Sequence, residues 1–215
     1  MRKLMLALIL GGLVLSVPNR AEAVFIVDTG TPTGDTPWSA FNASTATGHF
    51  QFLAGQFTTT NDYVINSLEG YFSTATFIEA GPLDAVLYLD NAGSLDMVGE
   101  LFRQTFSIPQ TTDPDEVWTG VYGINHNLLA GTYWLAFEAQ DGASSTTMRN
   151  GAPSPLDAYA FYEDTGSGYT NFALDMGIRI DASRTPGSAA VPEPMTMLLF
   201  GTGLAGAAWR RKYIG

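Results

Sequence analysis

Short apolar runs with a period of two, separated by turn-forming residues, constrain this chain more than any other feature. Thr132–Glu138 reads Thr-Tyr-Trp-Leu-Ala-Phe-Glu, with Tyr133, Leu135 and Phe137 at alternate positions and Trp134 and Ala136 between them. Side chains alternate across a strand, so such a run sorts its residues onto two faces as a strand and not as a helix. Comparable runs are His49–Phe57, Asp62–Phe72, Ala85–Asp90, Met97–Ile108, Glu116–Ile124, Ala158–Tyr162 and Leu174–Ile180. Gly, Thr, Asn and Asp separate them at intervals of about 8–12 residues. The pattern predicts an all-β fold over residues 24–183. An antiparallel β-sandwich of jelly-roll type, with roughly eight to ten strands, is the economical way to bury such runs. One of Tyr133 and Trp134 must then face away from the local core, so one exposed aromatic is expected there.

The two ends depart from this pattern. Arg2 and Lys3 precede an apolar stretch from Leu4 to Val17, followed by Ala21-Glu22-Ala23. A positive start, a short apolar centre and small residues at alternate positions describe a secretory signal peptide over residues 1–23, cut after Ala23. Its partner is the general secretion machinery. The apolar stretch is shorter than the span of about 20 residues that crosses a bilayer. At the other end, a linker of small and turn-forming residues at 184–190 leads to Val191-Pro192-Glu193-Pro194. An apolar run from Met195 to Trp209 follows, closed by Arg210, Arg211 and Lys212. The run predicts a single hydrophobic helix, and the basic cluster beside it fits the cytoplasmic bias of Lys and Arg. At 1.5 Å per residue it spans about 22 Å, less than a hydrocarbon core of about 30 Å. Such a helix suits a transient precursor better than a permanent anchor.

Setting the ends aside sharpens the charge. The chain has 10 Lys and Arg against 21 Asp and Glu. Removing the charged residues of the two end segments leaves 4 Arg, no Lys and 19 acidic residues between Val24 and Ala190. That surface has no basic patch to neutralise phosphates, which argues against nucleic acid as a partner. The chain has no cysteine, which excludes thiolate metal sites and thiol catalysis.

Few constellations point to chemistry. Only two histidines are present, His49 and His126, and no Gly-x-Ser-x-Gly surrounds a serine. Gly123-Ile124-Asn125-His126-Asn127 reads as a polar turn between two strands. Glu69, Glu79, Glu100, Glu138 and Glu163 supply carboxylates for a glycosidase pair, but so acidic a chain offers such pairs without specificity. No catalytic residue is assigned. Asp90, Asn91 and Asp96 surround a glycine turn and are candidate calcium ligands, since hard cations take several oxygens from a tight loop. The alternative is a plain strand connection, where Asn, Asp and Gly favour turns for conformational reasons. The loop Asp113–Glu116 is a second acidic turn of the same kind. Trp118, Tyr122, Trp134, Tyr159 and Tyr169 are candidate rings for stacking against a sugar, Trp118 and Trp134 foremost, against the commoner role of aromatics as core.

Val191-Pro192-Glu193-Pro194, the apolar run and the basic cluster together resemble the PEP-CTERM sorting signal of exopolysaccharide-producing Gram-negative bacteria. Tyr213-Ile214-Gly215 extend past the point where such tails often end. The resemblance implies an exosortase, an integral-membrane cysteine protease, as processing partner, with Val191–Pro194 and Arg210–Lys212 as its recognised substrate. It implies an inner-membrane-anchored precursor delivered to the cell surface or extracellular matrix. The segments Ile65–Phe72 and Leu129–Glu138 also look like a recurrent β-sandwich domain of PEP-CTERM proteins, which has no assigned enzymatic activity. The reading is therefore a non-enzymatic exported protein associated with exopolysaccharide and biofilm. The alternatives are a carbohydrate-binding module at the same location and a polysaccharide-acting enzyme.

Overall fold

The computed structural model describes residues 23–34, 37–44, 49–73, 82–109, 116–140, 146–163 and 168–184. Among the described residues there are twelve strands and no helix. They are β1 (Ala23–Asp28), β2 (Pro37–Ser44), β3 (His49–Thr59), β4 (Tyr63–Ser73), β5 (Pro82–Asn91), β6 (Ser94–Ser107), β7 (Glu116–Leu128), β8 (Gly131–Ala139), β9 (Thr146–Arg149), β10 (Tyr159–Glu163), β11 (Tyr169–Phe172) and β12 (Ile178–Arg184). All pairings are antiparallel. The all-β expectation holds, with more strands than the sequence pattern resolved. Of the expected end segments, residues 1–22 and 185–215 lie outside the described residues, while Ala23 falls in β1 and Arg184 in β12.

The strands form two sheets. The first runs β1-β12-β4-β7, with β9 beside the far end of β4. The second runs β6-β5-β8-β3-β10-β11. β2 joins them, pairing β9 near its start and β3 near its end. Between the sheets lies a continuous apolar core. Ile65, Leu68, Phe72, Ile178 and Ile180 face it from the first sheet, and Leu53, Leu83, Leu87, Leu135 and Phe137 from the second. Each such side chain contributes about 1.5–3 kcal/mol by leaving water. Phe72 meets Phe137 edge-on at 5.1 Å, tying the two layers together.

Two expected boundaries change. Leu174–Ile180 is a strand only from Ile178, and Leu174 and Met176 enter the core from the preceding segment. Gly123–Asn127 is not a turn between strands but lies inside β7, where the register against β4 slips between Ile65 and Ser67. Gly123 has φ of 69° there, a conformation glycine adopts without a side-chain penalty. The polar composition that suggested a turn belongs to this bulge.

The register places both chain exits at one end of the sandwich. Ala23 pairs with Ser183, and Tyr63 pairs with both Leu128 and Arg184. Thr59 pairs with Gly131, so the short β3–β4 and β7–β8 connections cross between the sheets at this end. The Asp62 carboxylate accepts from the Ala130 N–H at 2.9 Å and ties the two connections together. Leu89 pairs with Tyr133, which brings the β5–β6 turn to the same end. Pro82, Ser107 and Ala139 mark the opposite end of the second sheet.

Candidate functional site

The second sheet is rolled, and the face turned away from the sandwich core encloses a polar and aromatic cluster. Arg103, Val86, Ala136, Ala54, Ala160 and Asn171 form one row across its six strands. Four of the six are Val or Ala, so little bulk opposes curling toward this face. The curl brings β11 back over β8 and β5. The Tyr169 hydroxyl donates to Glu138 Oε1 at 2.9 Å, and Asn171 Nδ2 donates to the Gly93 carbonyl at 2.9 Å. Ala54, Val86, Tyr88, Trp134, Ala136 and Ala160 are buried beneath as a second, smaller core.

This answers the expectation of an exposed aromatic in β8. Both Tyr133 and Trp134 are buried, because each face of the strand has its own core. Trp134 is 0% exposed and its indole N–H donates to Asp90 Oδ1 at 2.8 Å. It presents no face to a sugar, and the stacking role expected for it is withdrawn.

Charge gathers at one side of this interior. Asp84 on β5 and Glu138 on β8 are direct cross-strand partners and both are buried. Like charges in that position repel, and Arg103 from β6 bridges them. Its Nη1 lies 3.0 Å from Asp84 Oδ2 and 2.8 Å from Glu138 Oε2. Its Nη2 donates to Glu100 Oε2 and to the Tyr88 hydroxyl, both at 2.9 Å. Tyr88 in turn donates to Glu138 Oε1 at 2.9 Å. Thr105 Oγ1 and Gln140 Nε2 donate to Asp84 Oδ1 at 2.6 and 2.8 Å. As placed, both buried carboxylates are engaged by protein donors, and the network joins β5, β6, β8 and β11. Burial opposes the charge on Arg103, but Glu100, Glu138 and Asp84 outweigh it and raise its pKa.

The same surroundings keep the phenols protonated. Burial, then the Glu138 carboxylate, pushes Tyr88 and Tyr169 well above the usual value of 10.0. In the main core, where its hydroxyl donates to the Met176 carbonyl, burial likewise pushes Tyr159 up to about 12, against the Leu156 N–H that donates to its oxygen. A phenol whose folded pKa is raised contributes stability that is complete below the unfolded pKa and is lost as pH rises beyond it. The domain is therefore expected to lose stability as pH climbs above about 10. In a titration followed by phenolate absorbance, these three tyrosines should ionise late, with the loss of fold. Ionisation of all nine tyrosines near pH 10 with the sheet signal intact would contradict the burial of these phenols in the two cores.

The other expected site residues are dispersed. Asp90, Asn91 and Asp96 flank a two-residue turn in which Ala92 and Gly93 both have positive φ, 52° and 87°. That is the geometry of a type I′ hairpin turn. Asp90 Oδ1 accepts from Gln56 and Trp134, and its Oδ2 from the Gly93 N–H. Burial acts to raise the Asp90 pKa, but these three donors outweigh it and hold the carboxyl below the usual range. Asp96 Oδ1 accepts from the Val98 N–H. The turn thus reads as a strand connection whose carboxylates serve protein donors. Among the described residues, no three His, Cys, Asp or Glu side chains are grouped to hold a metal ion. The loop at 113–115 lies outside the described residues. His126 packs against Phe102 at 5.5 Å, and burial lowers its pKa.

Trp118 is half-buried on the outer face of the first sheet. Its ring lies 5.2 Å from Tyr71, its cross-strand partner, and the Arg179 guanidinium stacks 3.8 Å from its centroid. Arg179 also bonds Asp28 Oδ1 at 2.9 Å and sits 5.6 Å from the Phe25 ring. Phe25 and Tyr122 are exposed on the same face, and Tyr122 is hydrogen-bonded to Glu69. Of the expected sugar-facing rings, Tyr122 is exposed and Trp118 reaches solvent in part, while Tyr159 is buried.

Sequence reasoning named Glu138 only as one carboxylate among many and did not name Arg103. The available signal was scarcity. Arg103 is one of four basic residues among nineteen acidic ones between Val24 and Ala190, and it stands in the middle of a strand pattern.

The sorting tail and Ala21 lie outside the described residues, and Ala23 opens β1. A family model described as the PEP-CTERM protein-sorting motif matches residues 190–212. The match takes in Val191–Pro194, the apolar run and Arg210, Arg211 and Lys212. It supports an exported chain with a membrane-anchored precursor, sorted to the cell surface by an exosortase-type system. No curated protein matches the chain.

Proposed function

We propose that the mature domain is a non-enzymatic protein of the cell surface or extracellular matrix of a Gram-negative bacterium, associated with exopolysaccharide in biofilm. The observation that carries the reading is the sorting motif at residues 190–212, attached to an all-β domain. The strongly acidic segment between the two ends suits a hydrated polysaccharide matrix and disfavours anionic lipid and nucleic acid. The Arg103 bridge supports a structural role for Asp84 and Glu138, since both acids are held in ionic hydrogen bonds. Cell fractionation with mass spectrometry of the mature C-terminus tests the reading. The expected product is found outside the inner membrane and lacks the apolar tail. An intact chain that stays in the cytoplasm would refute it.

A carbohydrate-binding module is the second reading, and the strip formed by exposed Phe25 and Tyr122 with half-buried Trp118 on the first sheet favours it. Flat rings beside hydrogen-bonding side chains suit a sugar face. Trp118→Ala should then abolish retention on the producing cell's exopolysaccharide while leaving the thermal transition close to that of the parent. Equal retention of parent and variant removes this reading.

A further inference from the structure

Exposed aliphatic side chains gather at the end of the sandwich from which the chain leaves. Leu129, in the β7–β8 connection, is 68% exposed. The β5–β6 hairpin adds more. Leu87 pairs with Phe102, Tyr88 with Glu100 and Leu89 with Asp96, so Met97, Val98 and Gly99 stand out of the ladder as a bulge. Val98 is 94% exposed at its crest, with Met97, Leu89 and Leu101 exposed around it. The bulge is ordered from within, by the Val98 N–H bonded to Asp96 Oδ1 at 3.0 Å. Scattered surface leucines need no explanation, but a contiguous apolar prominence usually marks a contact.

We propose that this apolar rim seats in the interface of a neutral lipid bilayer while the precursor is held at the membrane. The inference rests on the membrane-anchored precursor described above. Position carries the argument. Ala23 and Ser183 are paired neighbours at this end, so the segment that leads to the tail departs beside the rim. Ten residues lie between Arg184 and Met195, a reach of at most roughly 3.3–3.6 Å each. The tether therefore keeps the rim close to the surface, and a weak contact is populated at high local concentration. Lipid also fits better than a second copy of the chain. β6 pairs only with β5 among the described residues, but a bulge flanked by Asp96 and Glu100 obstructs strand addition along that edge. Asp62, Asp96 and Glu100 nearby repel anionic headgroups, which selects a zwitterionic surface.

The absence of native cysteine makes the test direct. Full-length chains carrying Val98→Cys, Leu129→Cys or, at the opposite end, Ser107→Cys are labelled with an environment-sensitive dye and reconstituted in phosphatidylcholine vesicles. All three positions are exposed, so the labels leave the core untouched. Labels at 98 and 129 should shift their emission to the blue and lose intensity to a nitroxide-bearing lipid, and the label at 107 should do neither. Chains that float with the vesicles while all three labels stay aqueous overturn the rim and leave the anchored precursor intact. A blue shift at 98 and 129 without vesicles assigns the rim to a second copy and also overturns the proposal. Failure to float with vesicles overturns both the rim and the anchored precursor beneath it.

Discussion

Trp134→Ala is expected to destabilise the domain by about 3–5 kcal/mol, the range for removing a large buried aromatic. Against a total stability of about 5–15 kcal/mol for a single domain, the variant should be largely unfolded in mild denaturant. Trp134 is fully buried in the smaller core, where Ala54, Ala136 and Ala160 line the rolled face. Alanines have no flexible side chain to swing into the space, so the cavity persists. The change also removes the indole donor to Asp90, leaving Gln56 and the Gly93 N–H. Trp134→Phe keeps most of the volume and should fall between parent and Ala variant. Urea denaturation measures the series, and an Ala variant with the parental midpoint would show that the rolled face is not a packed core.

Replacing Pro192, Glu193 and Pro194 by alanine should leave the precursor uncut and at the inner membrane. The two prolines lack backbone N–H groups and Glu193 is the only acidic side chain between residues 191 and 215, so the triple change erases what is chemically distinctive there. The apolar run and basic cluster remain, so insertion should persist while processing fails. Unlike Trp134→Ala, this change lies outside the packed domain and should leave its melting transition where it was. Fractionation and immunoblotting separate the outcomes, and a variant released at the parental rate would contradict the assignment of the motif.

The contrast between the two ends of the chain and its centre explains what was legible beforehand. Alternation in Thr132–Glu138 and its counterparts located β3 to β8, β10 and part of β12, because period-two patterning is a local property. Thr146–Arg149 and Tyr169–Phe172 have four residues each, too few for a pattern. Alternation also states that a strand has two faces without stating how each is covered. Trp134 is buried because β11 returns over β8, and that depends on a contact between Tyr169 and Glu138 that no local pattern encodes. Arg103 escaped notice for the same reason, since its partners come from β5, β8 and its own strand. The tail, by contrast, is read as a linear motif and was complete in the sequence.

The pairing of β1 with β12 also fixes the order in which this chain can finish folding during export. Thr29 bonds Ile178 across 149 positions, and β1 has no other strand partner among the described residues. The N-terminal strand must therefore wait, unzipped, until nearly the whole domain has crossed the membrane. Closing so long a loop is slow. Until then the backbone around Ala23 stays open, and the ladder with Ser183 closes over it last. The last strand to arrive is thus the clasp that locks the first.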